Sequence, residues 1–182
     1  MPTSDANSNE PTRERILRAT FEVLSRHGHS KLNLSDVAAA AKVSRPTLYR
    51  FFSSKGELLA AFGRYEQQNT QDAFAAATEG LAGAARLDAA LRYMVDHQES
   101  YSLGRLVDVE PDHVLAELAR VMPIMRELIR PMVEGADADI VAAAIIRLAA
   151  CHYVVRGDDR ATFLAQLRHV AGIPPGGLEV DS

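Results

Sequence analysis

Along most of the chain, apolar side chains recur every three or four positions, and strand-like alternation of useful length is absent. Over residues 12–27, Leu17, Phe21 and Leu24 form one ridge and Ile16, Ala19 and Val23 the next. Glu14, Arg18, Glu22 and Ser25 occupy the opposite side. That is the period of an amphipathic helix burying one face, and Gly28 stands where its C-cap belongs. A second helix is predicted from Leu34. Asn33 is a good N-cap, with Asp36 three residues later in the place of a capping-box Glu, and Leu34, Val37, Ala38 and Ala41 form the inner face. A third, over 45–52, follows Ser44, another N-cap. Its Pro46 is tolerated because the first turn has no intrahelical N–H bond to lose. Ser54-x-x-Glu57 then opens a longer helix with Leu58, Phe62 and Tyr65 on one face.

Further on, "EGLAGAA" (79–85), "LGRLVDVEPD" (103–112), "VEGADAD" (133–139) and "RGDD" (156–159) read as breaks. Between them lie the stripes Leu87/Leu91/Met94 and Val114/Leu118/Val121/Met125/Leu128/Met132. An Ala-rich segment at 140–155, apolar nearly all round, follows, and then a last helix at 160–171 with Phe163, Leu164, Leu167 and Val170 inward. The expected fold is all-α. It comprises a disordered arm at 1–10, a three-helix head at 11–54, a larger helical domain at 55–173 and a loose tail at 174–182.

Composition narrows the function classes. Hydrophobic residues make up 47% and charged residues 24% of the chain, ordinary for a globular protein, so wholesale disorder is excluded. The single cysteine, Cys151, permits no intramolecular disulfide and no Cys-based metal site, which suits a reducing cytoplasm. The first ten residues have neither a basic start nor an apolar run, so no signal peptide is expected. The most apolar stretch is broken by Arg147 and His152 and is not expected to span a membrane. Charge is unevenly placed. Residues 11–60 hold nine Lys/Arg and four Asp/Glu, a balance of +5, whereas residues 61–182 hold eleven and eighteen, a balance of −7. A basic module on an acidic body is what a polyanion-binding head would show.

The second and third helices are joined only by "AKVS", a connection that packs two helices steeply, as in a helix-turn-helix. In that geometry the second helix of the pair enters the major groove, led by its N-terminal residues. Here Leu48, Phe51 and Phe52 face inward, leaving Arg45, Thr47, Tyr49 and Arg50 outward, where phosphates and base edges would lie. Lys55 adds a full charge at the start of the next helix, whose unpaired N–H groups also favour an anion.

The run "LNLSDVAAAAKVSRPTLYRFFSSKGELLAAF", preceded by "ERILRATFEVLSRHGHSKL", resembles the DNA-binding domain of tetracycline-repressor (TetR) family regulators, over about residues 12–62. The resemblance implies a homodimer with two heads on successive turns of a palindromic double-stranded DNA operator. Carried over by position, Thr47, Tyr49 and Lys55 would contact phosphates. Arg45 and its neighbours would read base edges, Asn33 and Ser35 would meet the backbone, and Ser44 and Arg50 are further candidate DNA contacts. An Arg at a base edge most often reads guanine. The turn departs from the family's usual "AGVS": Lys42 replaces the Gly, at the cost of a left-handed conformation, and adds a cation beside the DNA. Tyr49 as a packing aromatic, and Lys42, Arg50 and Lys55 as solvated cations, stay open as alternatives.

For the larger domain, the resemblance implies a small-molecule effector site and dimerisation through the helices at 140–155 and 160–171. Candidate effector contacts are Tyr93, Met94, His97, Tyr101, Met122, Met125, Arg126 and His152, side-chain types that are more often plain core. No charged anchor stands out, so an apolar or amphipathic effector is preferred. The histidines share no ligand spacing, and there is no Gly-rich phosphate loop, G-x-S-x-G or H-E-x-x-H. No metal, cofactor or catalytic residue is therefore expected. The implied function is a ligand-responsive repressor in which the long fourth helix transmits the signal. Rival readings are a regulator with a protein partner or no ligand input, and an all-α binding protein or enzyme with a vestigial head.

Overall fold

The computed structural model describes residues 5–100, 107, 110–155, 157–174, 176 and 177. Among these residues there are eight α-helices, one 3-10 turn and no strand: α1 (Asp5–Lys31), α2 (Leu34–Ala40), α3 (Arg45–Phe51), α4 (Lys55–Ala77), α5 (Gly83–Ser100), α6 (Pro111–Ile129), the 3-10 turn Arg130–Met132, α7 (Ala138–Val154) and α8 (Arg160–Val170). The all-α expectation holds. The chain forms two compact units, Met1–Gln71 and Asp72–Ser182.

Three boundaries differ from those read off the sequence. Helix α1 begins at Asp5, inside the stretch expected as an arm (1–10), whose first four residues lie outside the described ones. Polar composition does not bar this, since extending an existing helix adds one hydrogen bond per residue ordered. Gly28 interrupts the helix (φ 76°, ψ 175°) and one further turn continues to Lys31. The division between units falls after Gln71, not after residue 54. The cause is packing: Leu58, Ala61 and Phe62 of α4 are buried in the head core.

The core of the first unit joins Ile16, Leu17, Val23 and Leu24 of α1 to Val37 and Ala38 of α2, Leu48 of α3 and Phe52 after it. Thr20, fully buried on α1, satisfies its hydroxyl by donating to the Ile16 carbonyl at 2.8 Å. Each large apolar side chain buried this way contributes roughly 1.5–3 kcal/mol.

The second unit packs Leu87, Leu91, Met94 and Val95 of α5 against Ile145, Ile146 and Ala149 of α7 and Phe163, Leu164 and Leu167 of α8. An ion pair lies within it. Arg168 of α8 donates from Nε to Asp88 Oδ1 at 2.6 Å, with both side chains buried, and Arg92 reaches the other carboxylate oxygen at 2.6 Å. The chain after α8, expected as a loose tail from 174, begins by packing: Ile173 is buried in the core, and Gly177 (φ 93°) sits so close that a Cβ there would meet Arg168 Nη2 at 2.8 Å. Residues 175 and 178–182 of that expected tail lie outside the described ones.

Burial pushes the Asp88 carboxyl up, but hydrogen bonds and charge from Arg168 and Arg92 outweigh it and hold the group below its ordinary value. A carboxylate depressed in the folded state adds stability above its unfolded value of about 3.9 and loses it as pH falls through the folded value. Asp88→Ala, which strands a buried arginine, is expected to cost about 3–5 kcal/mol in urea denaturation at neutral pH. The difference from wild type should shrink below about pH 4. An unchanged midpoint would show the pair to be dispensable.

Candidate nucleic-acid interface

The head's outer surface is built on three side-chain caps. Asn33 Oδ1 accepts from the Asp36 N–H at 2.9 Å, while its Nδ2 donates to Asp36 Oδ2 at 2.6 Å, closing α2 at its start. Ser44 Oγ accepts from the Thr47 N–H at 3.1 Å and lies 2.7 Å from Thr47 Oγ1, closing α3. Ser54 Oγ accepts from the Glu57 N–H at 3.1 Å and starts α4. Glu57 reaches one residue further back than a capping box requires, taking the Ser53 N–H and hydroxyl, each at 2.7 Å. Those Ser53 bonds, the hydroxyl foremost, hold the Glu57 carboxyl below its ordinary value. The position at the start of α4 expected for a phosphate thus already has the chain's own carboxylate beside it.

Between α2 and α3 the backbone makes a left-handed turn. Lys42 N–H donates to Ala39 O at 3.1 Å and Val43 N–H to Ala38 O at 3.0 Å, with Lys42 at φ 53°. This pair of bonds is a Schellman closure, whose left-handed position glycine usually fills. A lysine there carries about 1–2 kcal/mol of strain. From α1, Arg15 Nε donates to Ala41 O at 3.0 Å and braces the turn.

Helix α3 has only 7 residues. Leu48 and Phe52 root it in the core at 0% and 2% exposure, Phe51 is half-buried, and the Arg13 guanidinium lies 5.7 Å from the Phe52 ring centroid. Arg45, Tyr49 and Arg50 remain outside, Tyr49 at 52% exposure, with Thr47 half-buried. The expected inward and outward division is observed. The Arg50 guanidinium sits 5.3 Å from the Phe51 ring centroid, and Arg45 donates to Ser35 Oγ, which ties the start of α3 to α2. Lys55 Nζ donates to Ser30 O at 3.2 Å, bridging α4 to the turn after Gly28. Asn33, Ser44 and Thr47 therefore spend their side chains on caps, whereas Arg45, Tyr49 and Arg50 present theirs outward. Arg13 and Arg15, which brace this surface, escaped the sequence reading. Each works through a partner distant in sequence, and no local spacing marks them.

In the second unit the effector candidates are packed side chains. Tyr93 has Phe74 edge-on at 5.7 Å and His97 stacked at 5.6 Å. Burial pushes the His97 imidazole below its ordinary value, favouring the neutral ring. His152 stacks on Phe163 at 3.8 Å. Met94 is buried, and Met122 and Met125 pack on the same core. Arg126 is exposed beside Glu127, and Tyr101 lies outside the described residues. A surface depression of 540 Å³ between the end of α4 and the start of α5 is lined by none of the seven described candidates. Among the described residues no group of three potential metal ligands occurs, and no helix is long and apolar enough to cross a membrane.

Residues 16–62 match the model of bacterial regulatory proteins of the tetR family. Over these residues the chain is similar to TetR-family regulatory proteins. This agrees with the resemblance carried by "TLYRFF" and "SKGELL". The HTH-type transcriptional repressor LfrR of Mycolicibacterium smegmatis is 35% identical over 108 residues, 58% of this chain and 52% of that protein. The chain thus matches about half the length of this TetR-type relative. A TetR transcription regulator from Haloarcula marismortui superposes with a TM-score of 0.71 at 19% identity, over 93% of this chain and 100% of that one. The fatty acid degradation regulator FadR of Bacillus halodurans does so at 0.63 and 16%, over 93% and 97%. At these identities the structural likeness speaks for the fold alone.

The caps set an energetic expectation for this surface. Ser44→Ala should lower stability by about 1 kcal/mol, and Leu48→Ala, which empties the root of α3, by about 2–5 kcal/mol. Urea denaturation checks both; a larger loss for Ser44→Ala than for Leu48→Ala would contradict this account of what holds α3.

Proposed function

We propose that the protein is a homodimeric, sequence-specific DNA-binding regulator of transcription, a repressor released from its operator by a small apolar or amphipathic effector. The observation that carries the DNA reading is α3: a short helix rooted by Leu48 and Phe52 that presents Arg45, Tyr49 and Arg50 outward on a basic head. An exposed phenol and two guanidiniums on a helix too short to be stable alone suit major-groove docking, with Lys55 available to a phosphate. Asn33, Ser35, Ser44 and Thr47 would set the shape and orientation of that surface.

Dimerisation is supported by the outer face of α7. Ile140, at 69% exposure, shares one face of α7 with half-buried Ala144 and exposed Arg147 and Cys151. Val155, just past the helix, is 67% exposed, and α8 lies beside α7. That face, mostly apolar with one cation, is one which a second copy would cover isologously. The effector is supported by partly buried Tyr93, Met122 and Met125 at the edge of the second core. Release would be a population shift: an effector preferring a state with badly spaced heads weakens operator binding by its differential affinity. Helix α4 begins in the first unit and ends in the second, which suits it to carry the change. The packed rings of His152 and Phe163 favour a second reading, a regulator without ligand input. Native mass spectrometry of the purified protein separates the two by the presence or absence of a bound small molecule.

Fluorescence anisotropy on the protein's own upstream DNA tests the main reading. Binding should exceed that to scrambled duplex of equal length. The slope of log affinity against log salt should shrink by about 1 in Tyr49→Phe/Lys55→Ala, from the loss of the Lys55 charge. Equal weak binding to both duplexes, indifferent to the two substitutions, would refute it. Sedimentation velocity tests the dimer: Ile140→Glu should shift the protein to monomer without loss of helicity, and an unshifted dimer would place the interface elsewhere.

A further inference from the structure

Lys42 is, among the described residues, the one non-glycine with positive φ. Its conformation is held from both sides. Its own N–H and that of Val43 close on α2, and the preceding carbonyl, of Ala41, is taken by Arg15. The turn therefore cannot relax, and the residue bears the strain that a Gly would avoid. Among the described residues no side-chain hydrogen bond or ion pair of Lys42 offsets it. The side chain is exposed, so packing contributes little. An over-determined, unfavourable backbone conformation is a signature of a residue kept for function. Lys42 also lies three positions ahead of Arg45, at the end of the recognition helix that leads into the groove.

From these observations we infer that Lys42 is a phosphate-binding residue whose backbone strain is the structural cost of an added cation beside the duplex, so that this turn exchanges folding stability for affinity to polyanions. The inference rests on the DNA-binding reading above and deepens it. It assigns Lys42 to sequence-independent backbone contact, separate from base reading by Arg45. The competing account is intramolecular: a cation just past the C-terminus of α2 favours that helix's dipole. The two accounts differ in sign. If the ammonium serves α2, its removal weakens folding; if strain dominates and the ammonium serves phosphate, its removal strengthens folding and weakens binding.

The test uses the full chain with Lys42→Gly, Lys42→Asn and Lys42→Arg, and a fluorescein-labelled duplex of mixed sequence. Gly and Asn tolerate the left-handed conformation and remove the charge, whereas Arg keeps both charge and strain. Urea midpoints should rise for Lys42→Gly and Lys42→Asn and stay at the wild-type value for Lys42→Arg. In anisotropy titrations the first two should bind more weakly, with a salt slope smaller by about 0.9, so that a fourfold rise in salt costs wild type roughly threefold more affinity than it costs either variant. Lys42→Arg should keep the wild-type slope. A Lys42→Gly midpoint at or below wild type, or an unchanged slope, would overturn the inference while leaving DNA binding intact. Absence of wild-type binding at the lowest salt would remove both the inference and the reading on which it rests.

Discussion

A helix of 7 residues cannot hold itself together in water, because nucleation costs more than so few hydrogen bonds return. Helix α3 exists because Leu48 and Phe52 are locked into the core formed by α1, α2 and the start of α4. Every feature of the outer surface depends on that anchorage. Tyr49 and Arg50 point away because Leu48 and Phe52 point in, and Arg45 stands at the exposed N-terminal end because Ser44 caps there. The first half of α4 belongs to the head for the same reason, since Leu58 and Phe62 complete the floor on which α3 rests.

Polar bracing then makes the surface specific in shape. Asn33 and Ser44 close the two helix starts, Arg15 holds the turn carbonyl, and Lys55 bridges to Ser30. Several of these side chains are of types that also suit DNA contact. A hydroxyl or amide satisfied within the head orients its neighbours at little entropic cost, leaving the exposed cations and the phenol on the surface that would meet a partner. Glu57, ionised at the start of α4, tempers the positive character there, so the basic surface is more finely divided than net charge suggests.

The second unit is organised differently, around an apolar core threaded by the Asp88–Arg168 pair. Charges so buried require partners on both sides. Arg92 and the close approach of Gly177 complete the enclosure and bring the chain after α8 into the fold. His97 and His152 spend their rings on stacking, against Tyr93 and Phe163. Aromatic and methionine side chains that a one-dimensional pattern marks as ligand candidates are here largely part of this packing, which is why the pattern could not separate pocket from core.

What the sequence determined by itself was everything governed by short-range chemistry: the helical period, the Asn33 and Ser44 caps, the inward set Leu48, Phe51 and Phe52, and hence the helix-turn-helix; the left-handed demand on Lys42 came from the family resemblance. Caps and periods involve residues within a turn of one another, so their spacing carries the information. Only the tertiary structure decided that α1 extends back to Asp5, that the first unit runs to Gln71, that Arg15 braces Ala41 and that Asp88 meets Arg168. The last two outcomes depend on side chains 26 or 80 positions apart coming into contact. Packing and desolvation choose among many such pairs, and no local pattern records the choice.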